Sequence, residues 1–241
     1  MKVSIVIPCY NEEKNIPIIL EKFKKIISKE YSFELILVNN GSQDNSMKVL
    51  KSNIEKYNFL KIVEVEKNQG YGYGILKGLQ VADGDYLGWM HADMQTEPNE
   101  FNKCIEYVIN ENYPKGIFMR GLRKKRPIID RIFTFGMTIF ESIYLGKRMH
   151  DINAQPTFFS RELYEECDES PHDFALDLYI YYKAIIYDYK IVRFPVFQNE
   201  RIYGVSSWNT GMKSRIDQTK KVINYSRLLK KRNNLNKVKK Y

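Results

Sequence analysis

The residues best suited to chemistry form a short turn, His91-Ala92-Asp93-Met94-Gln95, which follows the apolar run from Tyr86 to Met90. Open α/β sheets bind ligands beyond the carboxyl ends of their strands, so a carboxylate in such a turn is a candidate metal ligand. A single aspartate at this place is also a common helix cap. His91 stands where a second acid would be expected, so the turn is a candidate metal site with an unusual first residue.

Three further polar turns also come directly after apolar runs. They are Pro8-Cys9-Tyr10-Asn11-Glu12, Asn39-Asn40-Gly41-Ser42 and the glycine-rich stretch 68–74. On their own, these residues suit a helix cap, a turn with left-handed residues, and a close approach of the backbone to a phosphate. A dinucleotide-binding fingerprint is not favoured, because Ile75 occupies the place of its third glycine.

The elements that must position these turns alternate between strand and helix. Short apolar runs predict strands, and apolar residues at helical spacing predict helices. The first half is predicted to have strands at 3–7, 33–38, 60–65 and 86–90, with helices at 12–28, at 46–57 and from the glycine-rich turn to 82. The second half is predicted to have helices near 98–110, 128–146 and 173–187, strands near 116–120 and 190–197, and an irregular stretch at 151–160. This order predicts an α/β fold with a mostly parallel sheet between helices, whose strand ends share one crevice.

The positive charge of the chain is confined to its end. The net charge is +9, but residues 213–241 carry 11 Lys/Arg against Asp217 alone, which leaves the rest close to neutral. This distribution argues against a nucleic-acid-binding protein. The basic tail is predicted to be either a surface for anionic lipid headgroups or a solvated terminal helix.

The remaining composition is that of an ordinary globular protein. The 241 residues suit one sizeable domain, and the three cysteines are scattered and odd in number. No apolar run reaches the length of about 18 residues that a membrane span needs. We therefore expect a cytoplasmic protein, peripheral to the inner face of the membrane if the tail binds lipid.

Taken together and in order, the four turns resemble those of the family-2 glycosyltransferases of the GT-A fold. Their motifs read P-x-Y-N-E, D-D-G-S-x-D, N-x-G and D-A-D, each at a strand end. Within that family the chain is most similar to the polyprenyl-phosphate sugar synthases of the dolichol-phosphate mannose synthase type, whose D-A-D-L-Q is matched by His91 to Gln95. The resemblance covers about residues 1–208. It implies a GT-A domain at 1–210, with a nucleotide-sugar half at 1–98 and an acceptor half at 99–210, followed by a basic helix or tail at 211–241.

The resemblance implies a donor site in the first half. Asp93 would be catalytic and would hold a Mg²⁺ or Mn²⁺ ion together with Gln95. The residues expected to bind the donor nucleotide, a UDP- or GDP-sugar, are Pro8, Tyr10, Asn11, Glu12, Asn39, Asn40, Gly70 and His91. Two departures from the family pattern stand out, since Asn39 and Asn40 replace acids and His91 replaces the first acid of the metal motif. We expect these departures to change the donor preference of a working site.

The resemblance also implies an acceptor site in the second half. The synthases bind phosphates with G-x-R, R-x-x-S and R-x-x-G-x-S motifs, which correspond here to 121–123, 131–134 and 201–206. Arg123, Arg131, Arg201 and Ser206 are the phosphate-binding residues expected from these matches.

Two acids near residue 175 are candidates for a general base. Family members that act on sugar hydroxyls use an acid here, and Asp177 is the better match, with Asp173 second. The family motif D-x-x-x-G-F-R is present only as its aspartate, Asp151, which leaves the acceptor open.

Three functions follow from these residues. The favoured one is a metal-dependent, inverting glycosyltransferase that moves a sugar to a polyprenyl phosphate at the cytoplasmic membrane face. The second is a glycosyltransferase that acts on a hydroxyl of a surface polysaccharide or a lipid-linked oligosaccharide, with Asp177 or Asp173 as base. The third is a nucleotide-binding protein that has lost catalysis through His91, Asn39 and Asn40.

Overall fold

The computed structural model describes residues 1–28, 30–124, 128–203 and 212–238. The strands are β1 (Lys2–Cys9), β2 (Ser32–Asn40), β3 (Leu60–Val65), β4 (Tyr86–Trp89), β5 (Ile117–Lys124), β6 (Thr157–Ser160) and β7 (Lys190–Phe197). The helices are α1 (Asn15–Ile26), α2 (Ser46–Asn53), α3 (Tyr71–Val81), α4 (Glu100–Asn110), α5 (Ile128–Leu145), α6 (Glu162–Glu165), α7 (Ala175–Ile186) and α8 (Met212–Val238).

One seven-stranded sheet runs through the molecule in the order β3-β2-β1-β4-β6-β5-β7. Strands β1 to β4 are parallel to one another, and β7 is parallel to β5. Among the described strands, only β6 runs antiparallel, between β4 and β5. The prediction of a mostly parallel sheet flanked by helices is therefore confirmed.

Helices cover both faces of the sheet, which is why its central strands are apolar on both sides. Alternate residues of β1 belong to different layers: Ile5 and Ile7 pack with α1, α2 and α4, whereas Val6 packs with α3 and α7. The helical spacing seen in the sequence serves this packing, since Ile16 and Phe23 of α1 are fully buried. Within the described residues, no helix is both long and apolar enough to cross a bilayer.

The strand at the first motif is longer than predicted. The prediction was a strand at 3–7, but β1 continues through Pro8 to Cys9 and keeps its register with β2. Proline is tolerated here because β4 pairs only with Val3 to Val6, so no strand on that side needs an N–H from Pro8.

Two elements of the second half were not predicted. Residues 151–160 were expected to be irregular, yet Thr157–Ser160 forms the buried strand β6, and the single turn α6 follows it. Strand β5 also extends to Lys124, beyond its predicted end near residue 120, because it stays paired with β7 there. Strand β6 has a polar residue at each end and only two apolar residues between them, so the sequence gives no clear strand signal and its partners on both sides determine it.

Candidate active site

A cavity of about 220 Å³ lies at the carboxyl ends of β1, β2 and β4. Eight of the predicted site residues line it, namely Pro8, Tyr10, Glu12, Asn40, Gly70, His91, Asp93 and Arg201. Asn68, Tyr71 and Phe174 also line it and were not predicted. The parallel strands bring these turns together, because their carboxyl ends meet at one edge of the sheet.

The first two turns are joined to each other beside this cavity. Asn11 lies in the left-handed region at φ 58°, and its Oδ1 accepts a hydrogen bond of 2.7 Å from the backbone N–H of Gln43. The backbone N–H groups of Asn11 and Glu12 donate to the hydroxyls of Ser42 and Ser46 at 3.0 and 2.9 Å. Asn11 thus holds the two turns together, and its predicted contact with the donor stays a prediction.

Two buried amides, Asn39 and Asn40, end β2 at the predicted base-binding position. The Nδ2 of Asn40 donates to the carbonyl of Gly70 at 3.0 Å, which leaves its Oδ1 as a buried acceptor with no partner among the described residues. Asn39 is also buried, and its Oδ1 has no partner in the same part of the chain. Buried polar atoms are nearly always hydrogen-bonded, so the Asn40 oxygen is suited to an N–H or O–H donor of a ligand.

His91 is packed in a stack of rings on one wall of the cavity. The ring of Tyr71 lies 4.7 Å from that of His91 and 4.7 Å from that of Phe174 (centroid to centroid), and the His91 and Phe174 rings are themselves 6.3 Å apart. The Tyr71 hydroxyl accepts a hydrogen bond of 3.1 Å from Nε2 of Gln155. Gly70 precedes the stack at φ 110°, where a Cβ would lie 2.5 Å from the carbonyl oxygen of His172, so only glycine suits this close approach.

Asp93 lies at the edge of the cavity, and each of its carboxylate oxygens contacts another group of the protein. Its Oδ1 accepts from the backbone N–H of Gln95 at 3.1 Å, and its Oδ2 lies 2.9 Å from Nη2 of Arg201. The same charges act on the nearby Glu12. Burial raises the pKa of Glu12 above its ordinary value, and the charge of Asp93 adds to this rise. A hydrogen bond from Asn15 and the charge of Arg201 offset only part of it. The guanidinium of Arg201 therefore neutralises an acidic edge of the cavity.

The donor set at Asp93 suits a metal ion only in part. No cluster of three or more His, Cys, Asp or Glu side chains that could hold a metal occurs in the described residues. Mg²⁺ is commonly bound by one or two carboxylates, with substrate phosphates and water as its other ligands. Asp93 with Gln95 fits that kind of site, in which the diphosphate of the donor supplies much of the coordination.

Asp177 lies in the core, and it is not among the described residues that line the cavity. Its Oδ1 is 3.0 Å from Nη2 of Arg120, both side chains are almost completely buried, and Nε1 of Trp89 donates to the same oxygen at 3.2 Å. Arg120 also donates to Oγ1 of Thr157 at 2.8 Å and to the backbone carbonyl of Ile152. This network ties β4, β5, β6 and α7 together, and a catalytic role of Asp177 stays a prediction.

The other candidate base, Asp173, has a local structural contact. Its Oδ1 accepts a hydrogen bond of 2.9 Å from the backbone N–H of Ala175, at the start of α7. It is not among the cavity-lining residues of the described chain. Sequence reasoning missed Arg120, although one signal was present, since it is the one charged residue in the otherwise buried first half of β5.

A second cavity, of about 620 Å³, lies between α5, the end of β5 and Asp151. Arg123 and Arg131 both line it, as do several apolar residues of α5. Nε of Arg123 lies 2.9 Å from Oδ1 of Asp151 and 3.2 Å from Oδ2. Burial alone would raise the pKa of Asp151, but the hydrogen bonds and charge of Arg123 bring it below its usual value.

The predicted phosphate-binding residues are thus divided between the two cavities. Arg123 and Arg131 share the second one, whereas Arg201 lines the first. Residues 151–155 connect them, because Asp151 lines the second cavity and Gln155 contacts Tyr71 of the first. Ser206 lies outside the described residues.

Comparison with solved structures identifies the fold. Glucosyl-3-phosphoglycerate synthase of Mycobacterium tuberculosis, crystallised with Mn²⁺, uridine diphosphate and glucosyl-3-phosphoglycerate, superposes with a TM-score of 0.70. The match covers 95% of this chain and 79% of that one at 16% identity. The likeness in fold confirms the predicted GT-A architecture.

Sequence comparison identifies the family. The undecaprenyl-phosphate 4-deoxy-4-formamido-L-arabinose transferase of Pectobacterium atrosepticum is 30% identical over 86% of this chain and 62% of its own length. The dolichyl-phosphate beta-glucosyltransferase of Dictyostelium discoideum is 27% identical over 76% of this chain and 62% of its own. The chain therefore spans about three fifths of the length of these relatives. Residues 4–168 match the profile of glycosyl transferase family 2, and the chain belongs to that family.

Proposed function

We propose that this chain transfers a sugar from a nucleoside diphosphate sugar to a polyprenyl phosphate. The observation that carries the proposal is a pair of cavities linked by residues 151–155, one with Asp93 at the strand ends and one with two arginines beside apolar side chains. The names of the two relatives support the acceptor class, since both act on a polyprenyl or dolichyl phosphate.

The first cavity suits the donor. The Oδ1 of Asn40, which has no hydrogen-bond partner among the described residues, would accept a hydrogen bond from the base or the ribose, and the rings of His91, Tyr71 and Phe174 form an aromatic wall. A Mg²⁺ or Mn²⁺ ion held by Asp93 and Gln95 would neutralise the charge of the departing diphosphate. Mn²⁺ and uridine diphosphate in the mycobacterial structure support this assignment of donor and ion.

The second cavity suits the acceptor. Arg123 and Arg131 would hold the phosphate, and the apolar residues of α5 would contact the first isoprene units. A phosphate oxygen attacks the anomeric carbon as the bond to the diphosphate breaks, so the configuration inverts in a single displacement. The acceptor is already an anion and loses no proton, so the reaction needs no general base. The burial of Asp177 is compatible with this chemistry.

A transfer assay with Asp93→Asn tests the proposal. The chain, undecaprenyl phosphate in detergent, Mn²⁺ and radiolabelled UDP- or GDP-sugars are expected to give a lipid-linked sugar. Loss of the carboxylate charge should lower the rate by at least about 100-fold, comparable to the loss of one electrostatic group in other active sites. Asp188→Asn, the same change in an exposed turn, is the matched control and should keep full activity.

Two results would contradict the proposal. Transfer to a glycan hydroxyl, but not to the lipid phosphate, would identify the second predicted acceptor class. Calorimetry that shows nucleotide binding without transfer to either acceptor would identify a binding protein whose His91 and single carboxylate no longer support catalysis.

A further inference from the structure

The side chain of Gln155 is buried between the two cavities, and its hydrogen bonds are incomplete. It lies at the end of the segment 151–155, which runs from Asp151 in the second cavity to Tyr71 in the first. Gln155 is 4% exposed, and its Oε1 has no hydrogen-bond partner among the described residues. A buried amide oxygen without a partner costs free energy, so a ligand atom that donates a hydrogen bond would be favourable here.

The hydroxyl of Tyr71 supplies the complementary group. It accepts a hydrogen bond of 3.1 Å from Nε2 of Gln155, and its own proton has no acceptor in the described part of the chain. Burial raises the pKa of Tyr71 well above its ordinary value, so the hydroxyl keeps this proton. Rotation of the Gln155 amide by half a turn would exchange its oxygen and nitrogen, and the pair would still offer one donor and one acceptor. A hydroxyl group uses both with a single atom.

The position of the Tyr71 hydroxyl is fixed by the packing of its ring. The ring lines the first cavity and packs against the rings of His91 and Phe174. Tyr71 begins α3 directly after Gly70, whose close approach to His172 leaves no room for a side chain. The hydroxyl is therefore held in place before a ligand arrives, which lowers the entropic cost of binding.

The ligand at this position follows from the proposed function, on which this inference rests. The proposed function assigns the donor diphosphate to Asp93 and the acceptor phosphate to Arg123 and Arg131. The sugar is bonded to the first and is transferred to the second, so it must lie between them. Gln155 belongs to the segment that joins the two cavities, and the charge of Asp93 acts on the Tyr71 hydroxyl. Both side chains therefore lie beside the path of the sugar.

We propose that Tyr71 and Gln155 bind one hydroxyl group of the donor sugar and make the enzyme selective for sugars that carry it. Tyr71 donates to the sugar oxygen, and the sugar hydroxyl donates to Oε1 of Gln155. A sugar without this hydroxyl leaves both groups buried and unpaired, the arrangement that discriminates strongly against a missing hydroxyl. Gln155 stands where the family motif D-x-x-x-G-F-R has a glycine, which has no side chain, so this contact is a property of this chain.

Calorimetry with nucleotide sugars and their deoxy analogues tests the proposal. A panel of UDP- and GDP-sugars is titrated into the chain with Mn²⁺ and without a lipid acceptor, and the donor that binds most tightly is compared with its deoxy analogues. For the wild type, removal of one particular hydroxyl should weaken binding about tenfold, as expected for the loss of a hydrogen-bonded group. Tyr71→Phe and Gln155→Met should bind the intact donor about tenfold more weakly and should no longer distinguish it from that analogue.

Nucleoside diphosphates without a sugar are the control ligands. UDP or GDP should bind the wild type and both variants equally, since these ligands lack the group that the pair contacts, and this result verifies that the cavity is intact. Tyr71→Phe keeps the ring that packs against His91, so its effect isolates the hydroxyl. Gln80→Met, the same change at an exposed glutamine of α3, is the matched control variant and should behave like wild type.

Two results would overturn the inference while leaving the proposed function intact. If the intact donor and all its deoxy analogues bind the variants as they bind the wild type, the pair contacts no sugar. Equal losses of affinity for nucleoside diphosphates and for nucleotide sugars would show that the pair only maintains the shape of the cavity. Failure of every nucleotide to bind the wild type would instead contradict the proposed function, and the inference with it.

Discussion

Asp93 faces a positive charge that already belongs to the chain. Because Nη2 of Arg201 lies 2.9 Å from its Oδ2, a divalent ion must displace the guanidinium or share the carboxylate with it. Arg201 thus occupies part of the place that a metal ion would take. The carboxylate is held ready by the backbone N–H of Gln95, so its orientation does not depend on the ion.

Removal of this guanidinium should strengthen metal binding in the absence of nucleotide. We expect Arg201→Ala to bind Mn²⁺ about tenfold more tightly than wild type, which corresponds to about 1.4 kcal/mol. Titration of free protein with Mn²⁺, followed by the electron paramagnetic resonance signal of the unbound ion, measures the affinity. Arg201→Lys keeps a positive charge and should stay close to wild type. Weaker binding by Arg201→Ala would mean that the arginine supports the ion site.

The contact between Asp177 and Arg120 should matter for stability. Asp177→Asn leaves a buried guanidinium without a counter-charge, and the expected loss is about 3 kcal/mol in the free energy of unfolding. Urea denaturation measures it. The double variant Arg120→Met, Asp177→Asn removes both charges and should regain part of the loss. A variant of wild-type stability that has lost its kcat would instead identify Asp177 as a base.

At the scale of elements, α5 and α8 meet around a buried carboxyl group. Burial raises the pKa of Glu141 to about 7, and a hydrogen bond from Ser226 offsets only part of this rise. Its Oε1 has no hydrogen-bond partner within the described residues. The protonated form suits this interface better than the anion, because a neutral carboxyl group costs less to bury.

This carboxyl group should make the stability of the fold depend on pH. The pKa of Glu141 in the folded state is raised above the ordinary value of 4.5. Its protonated side chain therefore makes its full contribution to the free energy of unfolding below pH 4.5, and this contribution is lost as the pH rises through about 7. We expect Glu141→Gln to be more stable than wild type by about 2 kcal/mol at about pH 8, with no difference at about pH 4. Urea unfolding at both pH values measures this. Glu106→Gln, an exposed change on α4, should show no such dependence. An equal effect of Glu141→Gln at both pH values would contradict the assignment.

The elements that could be predicted from sequence are those with a local signal. The first four strands are apolar runs that end in polar turns, the helices between them are long enough to show their periodicity, and β3 has the predicted bounds. Strand β6 has four residues and follows a polar stretch, so only its pairing with β4 and β5 specifies it. The helix ends differ from prediction by a few residues, because several ends are set by turns whose hydrogen bonds join distant loops.

At the scale of the whole molecule, the candidate site was predictable where a motif lies at a strand end. Pro8, Asn40 and Asp93 come together because the sheet topology follows from the alternation of elements. Tyr71 and Phe174 were missed, since their stack with His91 joins α3, α7 and the turn after β4. The separation of Arg201 from Arg123 was also not predictable, because it depends on where 151–155 runs between the cavities.

The antiparallel strand β6 must be synthesised before the sheet can be completed. Strand β4 obtains its outer neighbour only from Thr157–Ser160, which leave the ribosome after α4, β5 and α5. Until then the nascent chain has an apolar edge strand with unpaired backbone groups, the kind of edge that promotes aggregation. Four residues in the second half therefore cover an edge of the first half, and a chain interrupted before them would expose β4 as an unpaired apolar strand.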